Sequence, residues 1–234
     1  KHDVQDLKKL LDDYDLKVVS WNAIELFTLC SDKKFKTVIL DYTEKLMRIG
    51  NKIGCDTFLA VPSFTNDSVF PREKIDEKSV ERLQVLRKLA KKYEFRIGFE
   101  PLGFPDCSVR KVKHALQLLE AAESDGLPPS GLVIDTFHFF LGEHEPEEIK
   151  DVPLEKLWLI HFNDSVDKPI DLLQDGDRVW PGGGYFQLEQ FVDAVRSMGY
   201  DGYFSLELFN VDYWKENPRE MAKKGYESLK KYLE

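Results

Sequence analysis

Six apolar runs, spaced along the chain with amphipathic stretches between them, constrain its fold more than any other feature. They lie at 16–21, 57–61, 96–100, 131–135, 157–161 and 203–207. Runs of this length, bounded by helical patterns, read as buried parallel strands. Four of them close on a polar side chain: Glu100 after Arg96–Phe99, Asp135 after Gly131–Ile134, His161 after Leu157–Ile160, and Glu207 after Tyr203–Leu206. In a barrel of alternating strands and helices, every parallel strand delivers its last residue to the same rim. Three carboxylates and one imidazole, far apart in sequence, then meet in space. Carboxylates so close cannot all ionise cheaply unless a cation or shared protons neutralise them, so the pattern points to a divalent ion.

The intervening segments fit this α/β reading. Helices are expected over 3–13, 36–50, 78–93, 109–123, 147–150 and 186–198, with a closing amphipathic helix over 218–233. Strands joined by helices make a parallel sheet, and nothing resembles an interdomain linker, so 1–234 reads as a single domain. A closed barrel of this type needs eight strands, and six are visible. The segment 165–185, rich in Asp, Gly and Pro, is expected to be a polar loop outside the core, and loops of that length are usually functional.

Charge and cysteine usage narrow the function classes. A formal net charge of −9 argues against a nucleic-acid or anionic-membrane surface. Lys88, Lys91, Lys92, Lys223, Lys224, Lys230 and Lys231 lie on helical faces beside acidic residues and read as solvated exteriors. Cys30, Cys55 and Cys107 show no CxxC spacing, which disfavours a disulfide framework and fits a reducing cytoplasm. No stretch is apolar enough to span a bilayer.

Five segments resemble, in order and spacing, the sugar phosphate isomerase/epimerase family of xylose isomerase-like TIM barrels. They are Gly98–Gly103, Val133–His138, Ile160–Asp164, Arg178–Gly182 and Ser205–Asn210. The resemblance covers essentially the whole chain and implies a (β/α)8 barrel whose first two strands precede the residues shown. It implies that Glu100, Asp135, His161 and Glu207 bind one divalent ion: manganese, cobalt or magnesium, with zinc as the alternative. It also implies that Glu100 and Glu207 form the acid/base pair, and that His138 and Arg178 contact a small carbohydrate substrate. Such a donor set, mostly oxygen with one imidazole, suits these ions better than a closed structural zinc site. The ion would act as a Lewis acid toward a substrate hydroxyl and carbonyl, stabilising an ene-diolate.

One position departs from the family pattern. Many relatives carry Pro-Gly-Glu-Gly after the arginine, whereas this chain has Pro181-Gly182-Gly183-Gly184, which leaves the substrate open.

Each residue also has a structural reading. Asp135 can simply cap the next helix, His138 and His161 can be packed core histidines, Arg178 can form an ordinary loop salt bridge, and Trp21 can be core. Glu207 inside Leu206–Phe209 is harder to explain that way, because a charge in an apolar run is costly unless paired. His114 and His144 are expected to be exposed. The expected activity is a metal-dependent sugar isomerase or epimerase. The same metal and bases also suit a dehydratase resembling inosose dehydratase or 3-dehydroshikimate dehydratase. An endonuclease IV-like nuclease is disfavoured by the acidic balance and by only five histidines. A cytoplasmic protein without nucleic-acid or membrane partners is expected, and the sequence leaves a homo-oligomer open.

Overall fold

The computed structural model describes residues 3–64, 70–124 and 126–234. Six main strands form, β1 (Trp21–Ile24), β2 (Thr57–Ala60), β3 (Arg96–Phe99), β4 (Ser130–Asp135), β5 (Leu157–Phe162) and, after two short ones, β8 (Tyr203–Leu206). They make one sheet in the order β1-β2-β3-β4-β5-β8. Pairing is parallel, with Phe58 opposite Ile97, Ile97 opposite Ser130, and Ile160 opposite Phe204. The short strands, β6 (Asp164–Ser165) and β7 (Arg178–Val179), form a separate antiparallel pair.

The helices are α1 (Val4–Asp13), α2 (Asp32–Lys34), α3 (Leu40–Ile53), α4 (Arg72–Lys92), α5 (Val112–Ala121), α6 (Thr136–Leu141), α7 (Leu188–Ser197) and α8 (Pro218–Leu233). Asp3 starts α1 by accepting a hydrogen bond from the Gln5 amide, and Asn217 does the same for α8 with Arg219. A π turn over Phe35–Ile39 joins α2 to α3, and Gly54 ends α3 at φ +77°, where a side chain would be strained.

Three expected element positions need correction. The first strand falls at 21–24 rather than 16–21, because Leu16 is exposed while Ile24 is buried. Trp21 anchors that strand's start, its indole N–H donating to the Leu46 carbonyl of α3 at 3.1 Å. Helix α4 begins at Arg72, six residues before the expected position, because Ile75 supplies a buried contact in an otherwise charged first stretch. The expected helix at 147–150 is a 3-10 turn, Pro146–Asp151, closed by a capping box between Glu145 and Glu148.

Contacts gather into two compact units. The first takes in residues up to Glu100 with Asp106–Val109 and His114–Leu132, and the second Pro101–Pro105, Arg110–Lys113 and Val133–Glu234. In the first, all of β2 is buried and packs with Phe95, Ile97 and Phe99. Arg82 is buried there because its guanidinium replaces water with the carbonyls of Phe27 and Cys30, at 2.7 and 2.6 Å, and the carboxylate of Asp32. His114 is half-buried beside Asp76, at 2.8 Å, rather than exposed.

In the second unit, Phe137 and Leu141 of α6 form a cluster with Leu173. Leu173 belongs to the 165–185 loop, so that loop contributes to the core after all. His144, expected at the surface, is buried, stacks on Phe139 and reaches Glu148 at 2.7 Å. Its sequence neighbours Glu143 and Glu145 pointed to solvent, and the ring's stacking partner decided otherwise.

Candidate metal centre

Glu100, Asp135, His161 and Glu207 come together. Each offers one ligand atom, and these atoms all lie within 4.8 Å of one another. Their positions follow from the strands: Glu100 is the first residue after β3, with its amide bonded to the Ala60 carbonyl at 3.0 Å. Asp135 ends β4, His161 lies in β5, and Glu207 follows the last β5–β8 pair, Phe162 with Leu206. Donors held at about 2.0–2.2 Å from one ion lie at most about 4.4 Å apart, so a few tenths of an ångström close the observed group around a cation. Three carboxylates and one imidazole fit a divalent ion that accepts oxygen and nitrogen ligands.

The carboxylate of Asp135 divides its two oxygens between structure and site. Oδ1 caps α6, accepting from the Phe137 amide at 2.7 Å, and also accepts from Asn163 Nδ2 at 3.0 Å. Oδ2 faces His161 Nδ1 at 3.9 Å, and that nitrogen lies 3.2 Å from Glu207 Oε2. The capping and ligand readings of Asp135 are therefore compatible, one for each oxygen. A second clamp aligns the ends of β4 and β5: Thr136 Oγ1 donates to the Asn163 carbonyl at 2.7 Å and accepts from the Asn163 amide at 2.9 Å.

Arg178 balances the charge. Its Nη1 donates to Asp135 Oδ2, and to Glu207 Oε2 at 3.2 Å. Nη2 donates to Asp175 Oδ1 at 2.8 Å and to His138 Nε2 at 3.2 Å, and Nε donates to the same Asp175 oxygen at 3.3 Å. The guanidinium carbon lies over the rings of Phe137 and Phe209, at 4.7 and 5.1 Å from their centroids. Burial would lower its pKa, but Asp135, Glu207 and Asp175 raise it, so it stays charged. Burial would likewise raise the Asp135 carboxyl, yet the Arg178 guanidinium beside it holds it well below the usual carboxylate range.

His138 is fixed as a neutral ring. Burial pushes its imidazole down to about 3 against the opposing pull of Asp135, and the Arg178 guanidinium adds to the fall. An arginine only donates, so Nε2 must accept and the proton must sit on Nδ1. That buried Nδ1 has no hydrogen-bond partner among the described residues.

Three participants had been given no role from the sequence: Asn163, Asp175 and Asp164. Asp164 is buried, and four backbone amides point at its carboxylate: Gly182 and Gly184 to Oδ2 at 3.1 and 3.0 Å, Phe186 and Ser165 to Oδ1 at 3.0 and 2.9 Å. This cage folds the triglycine turn back onto the base of the Arg178 strand. A Cβ on Gly184 would lie 2.1 Å from the Ser165 carbonyl oxygen. Gly184→Ala is expected to cost about 1–3 kcal/mol, the usual cost of overpacking. It should appear as a lower urea midpoint at unchanged slope.

A family model for the xylose isomerase-like TIM barrel matches residues 1–232. The chain belongs to that family. Members similar to it include the inosose isomerase of Bacillus velezensis, 30% identical over 227 residues that make up 97% of this chain and 79% of that protein. The 3-dehydroshikimate dehydratase of Pseudomonas putida is 27% identical over 197 residues, 83% of this chain but 30% of that protein. A crystal structure of IolI protein with a binding zinc atom superposes with a TM-score of 0.90 at 29% identity, covering 100% of this chain and 84% of that one. The expected TIM-barrel fold is thus correct. No helix among the described residues is long and apolar enough to cross a membrane.

Proposed function

We propose that this chain is a divalent-metal-dependent isomerase or epimerase of a small sugar or cyclic sugar derivative, acting by proton transfer at carbon. The observation that carries the reading is the convergence of four donors, three of them almost fully buried, around one point. An ion held by Glu100, Asp135, His161 and Glu207 would supply Lewis-acid polarisation of a carbonyl and an adjacent hydroxyl. Manganese, cobalt, magnesium and zinc all suit the donors, and the zinc-containing relative adds weight to the last.

The protein's own groups do the remaining work. Glu207 has a side chain 16% exposed, against 0% for Asp135 and 4% for His161, so it is the ligand best placed to meet a substrate proton. Glu100 completes the acid/base pair. Removing a proton at one carbon and returning it to the neighbouring carbon isomerises, and returning it to the opposite face of the same carbon inverts that centre. Asn163 and the Phe137 amide hold Asp135 while this happens, and Arg178 keeps Asp135 ionised. The Nδ1 proton of His138 is a buried donor suited to a substrate oxygen, in line with the substrate-contact role that the resemblance implied.

A dehydratase is the second reading, favoured by the likeness to 3-dehydroshikimate dehydratase. The inosose isomerases share a larger part of their own length with this chain, which favours the isomerase. The test is to incubate the manganese-loaded protein with an inosose in deuterated water. Deuterium should enter the carbon beside the carbonyl, the isomeric ketone should form, and both should cease on stripping the metal with EDTA and resume on adding it back. Loss of water from the ring without isomerisation would transfer the assignment to the dehydratase. Absence of both in loaded protein would end the proposal.

A further inference from the structure

Arg178 looks at first like a receptor for an anionic substrate, since a guanidinium on a rim loop is well shaped for phosphate or carboxylate. The geometry contradicts that. An arginine has five N–H donors, and in this structure each nitrogen is already committed: Nη1 to Asp135 and Glu207, Nη2 to His138 and Asp175, Nε to Asp175. The side chain is 1% exposed, and its guanidinium carbon lies over the rings of both Phe137 and Phe209. An oxyanion binds arginine most strongly through two parallel N–H bonds on one edge. The Nε/Nη2 edge, the one that faces away from the ligand cluster, is filled by a single oxygen of Asp175.

Asp175 differs from the other acidic partners of Arg178. Its side chain is 47% exposed, so it lies between the guanidinium and solvent. It begins the 3-10 turn Asp175–Asp177, whose ends are tied by Gln174 and Asp177, so its position relative to Arg178 is fixed by backbone three residues away. It also places a negative charge at that edge, which would repel an anion approaching Arg178 from solvent.

We propose that Asp175 is a specificity-determining residue: by occupying the outer edge of Arg178 it restricts the site to uncharged polyhydroxy ketones and polyols and rejects their carboxylated or phosphorylated counterparts. This rests on the isomerase reading for the identity of the pocket, and it narrows the substrate from sugars in general to uncharged ones. Arg178 then positions Asp135, Glu207 and His138 instead of holding a substrate anion. The isomerase reading separates from a 3-dehydroshikimate dehydratase-like one on the same ground, because a substrate bearing a ring carboxylate would need the edge that Asp175 fills.

The experiment is equilibrium binding to the manganese-loaded full chain, by calorimetry, of two ring probes: myo-inositol, uncharged, and shikimate, which carries a carboxylate. Wild type should bind myo-inositol at least about tenfold more tightly than shikimate. Asp175→Ser opens the edge and should shift that ratio toward shikimate by about ten- to a hundredfold, the scale of charge-assisted hydrogen bonds. Asp175→Asn, which keeps shape and an acceptor but removes the charge, should give a smaller shift in the same direction and serves if the serine variant folds poorly. Manganese affinity, measured on the same samples, should change little in either variant. A wild type that binds shikimate as tightly as myo-inositol overturns the proposal, as does a ratio that neither variant moves. These outcomes are read without turnover. Failure of deuterium exchange would therefore remove the isomerase reading and leave the binding ratio to be judged separately.

Discussion

Glu207→Gln should turn over an isomerisable ketose about 10²- to 10⁴-fold more slowly than wild type, the usual contribution of a general base. The substitution keeps length and an oxygen able to reach a metal, and it removes the basic carboxylate. Manganese affinity should therefore fall only in part, because Glu100, Asp135 and His161 remain. The most direct measurement is deuterium exchange between substrate and solvent, which reads proton abstraction even when net conversion is slow. Exchange at near wild-type rate would make Glu207 a ligand only, and Glu100→Gln would then be the variant to test. A wild type that converts the ketose without incorporating deuterium would point instead to hydride transfer between carbons, because a proton given up to a carboxylate has the opportunity to mix with solvent.

The four candidate ligands were legible in the sequence because each closes an apolar run, and a parallel strand carries its register into space. A polar side chain at the end of such a run has a place on the rim almost regardless of how the intervening helix is built. Asp175 has no such anchor. It stands in a segment that also holds Asp167, Asp171 and Asp177, and only the path of the 3-10 turn selects it as the partner of Arg178. Asp164 was hidden for a different reason: its neighbours are backbone amides of a glycine-rich turn, and amide direction is not written in residue type. The triglycine had looked like a departure from the family pattern. In space, the Gly182 and Gly184 amides donate to Asp164, and a Cβ on Gly184 would collide with the Ser165 carbonyl oxygen.

Strand ends proved easier to read than strand beginnings. The run that starts at Leu16 is apolar, but exposure of Leu16 and the anchoring of Trp21 on the Leu46 carbonyl shift the paired residues to 21–24. Apolar character predicts burial only where another element arrives to cover it, and sequence periodicity within one element carries no record of that second surface. His144 shows the converse, a polar residue among acids that is buried because Phe139 and the Val112 amide meet its ring.

Arg178→Met should lower the melting temperature of metal-free protein by about 6–20 °C, and saturating manganese should restore most of the loss. The first part follows from charge. Arg178 neutralises Asp135 and Glu207, whose side chains are 0% and 16% exposed, and removing one partner of a buried ion pair typically costs about 3–5 kcal/mol. For a chain of this size each kcal/mol corresponds to about 2–4 °C. Methionine fills much of the space beside Phe137 and Phe209, so lost packing is kept small. The second part follows from linkage: an ion binding the same carboxylates in the folded state alone replaces the missing positive charge and stabilises that state by mass action. Arg178→Lys separates charge from shape. It retains a cation but cannot direct five donors at four residues, so it should recover part of the metal-free stability while leaving His138 and Asp175 less well held. Equal losses for Arg178→Met with and without manganese would show that the guanidinium acts through its aromatic contacts, and that the carboxylates of the centre do not depend on it for their charge.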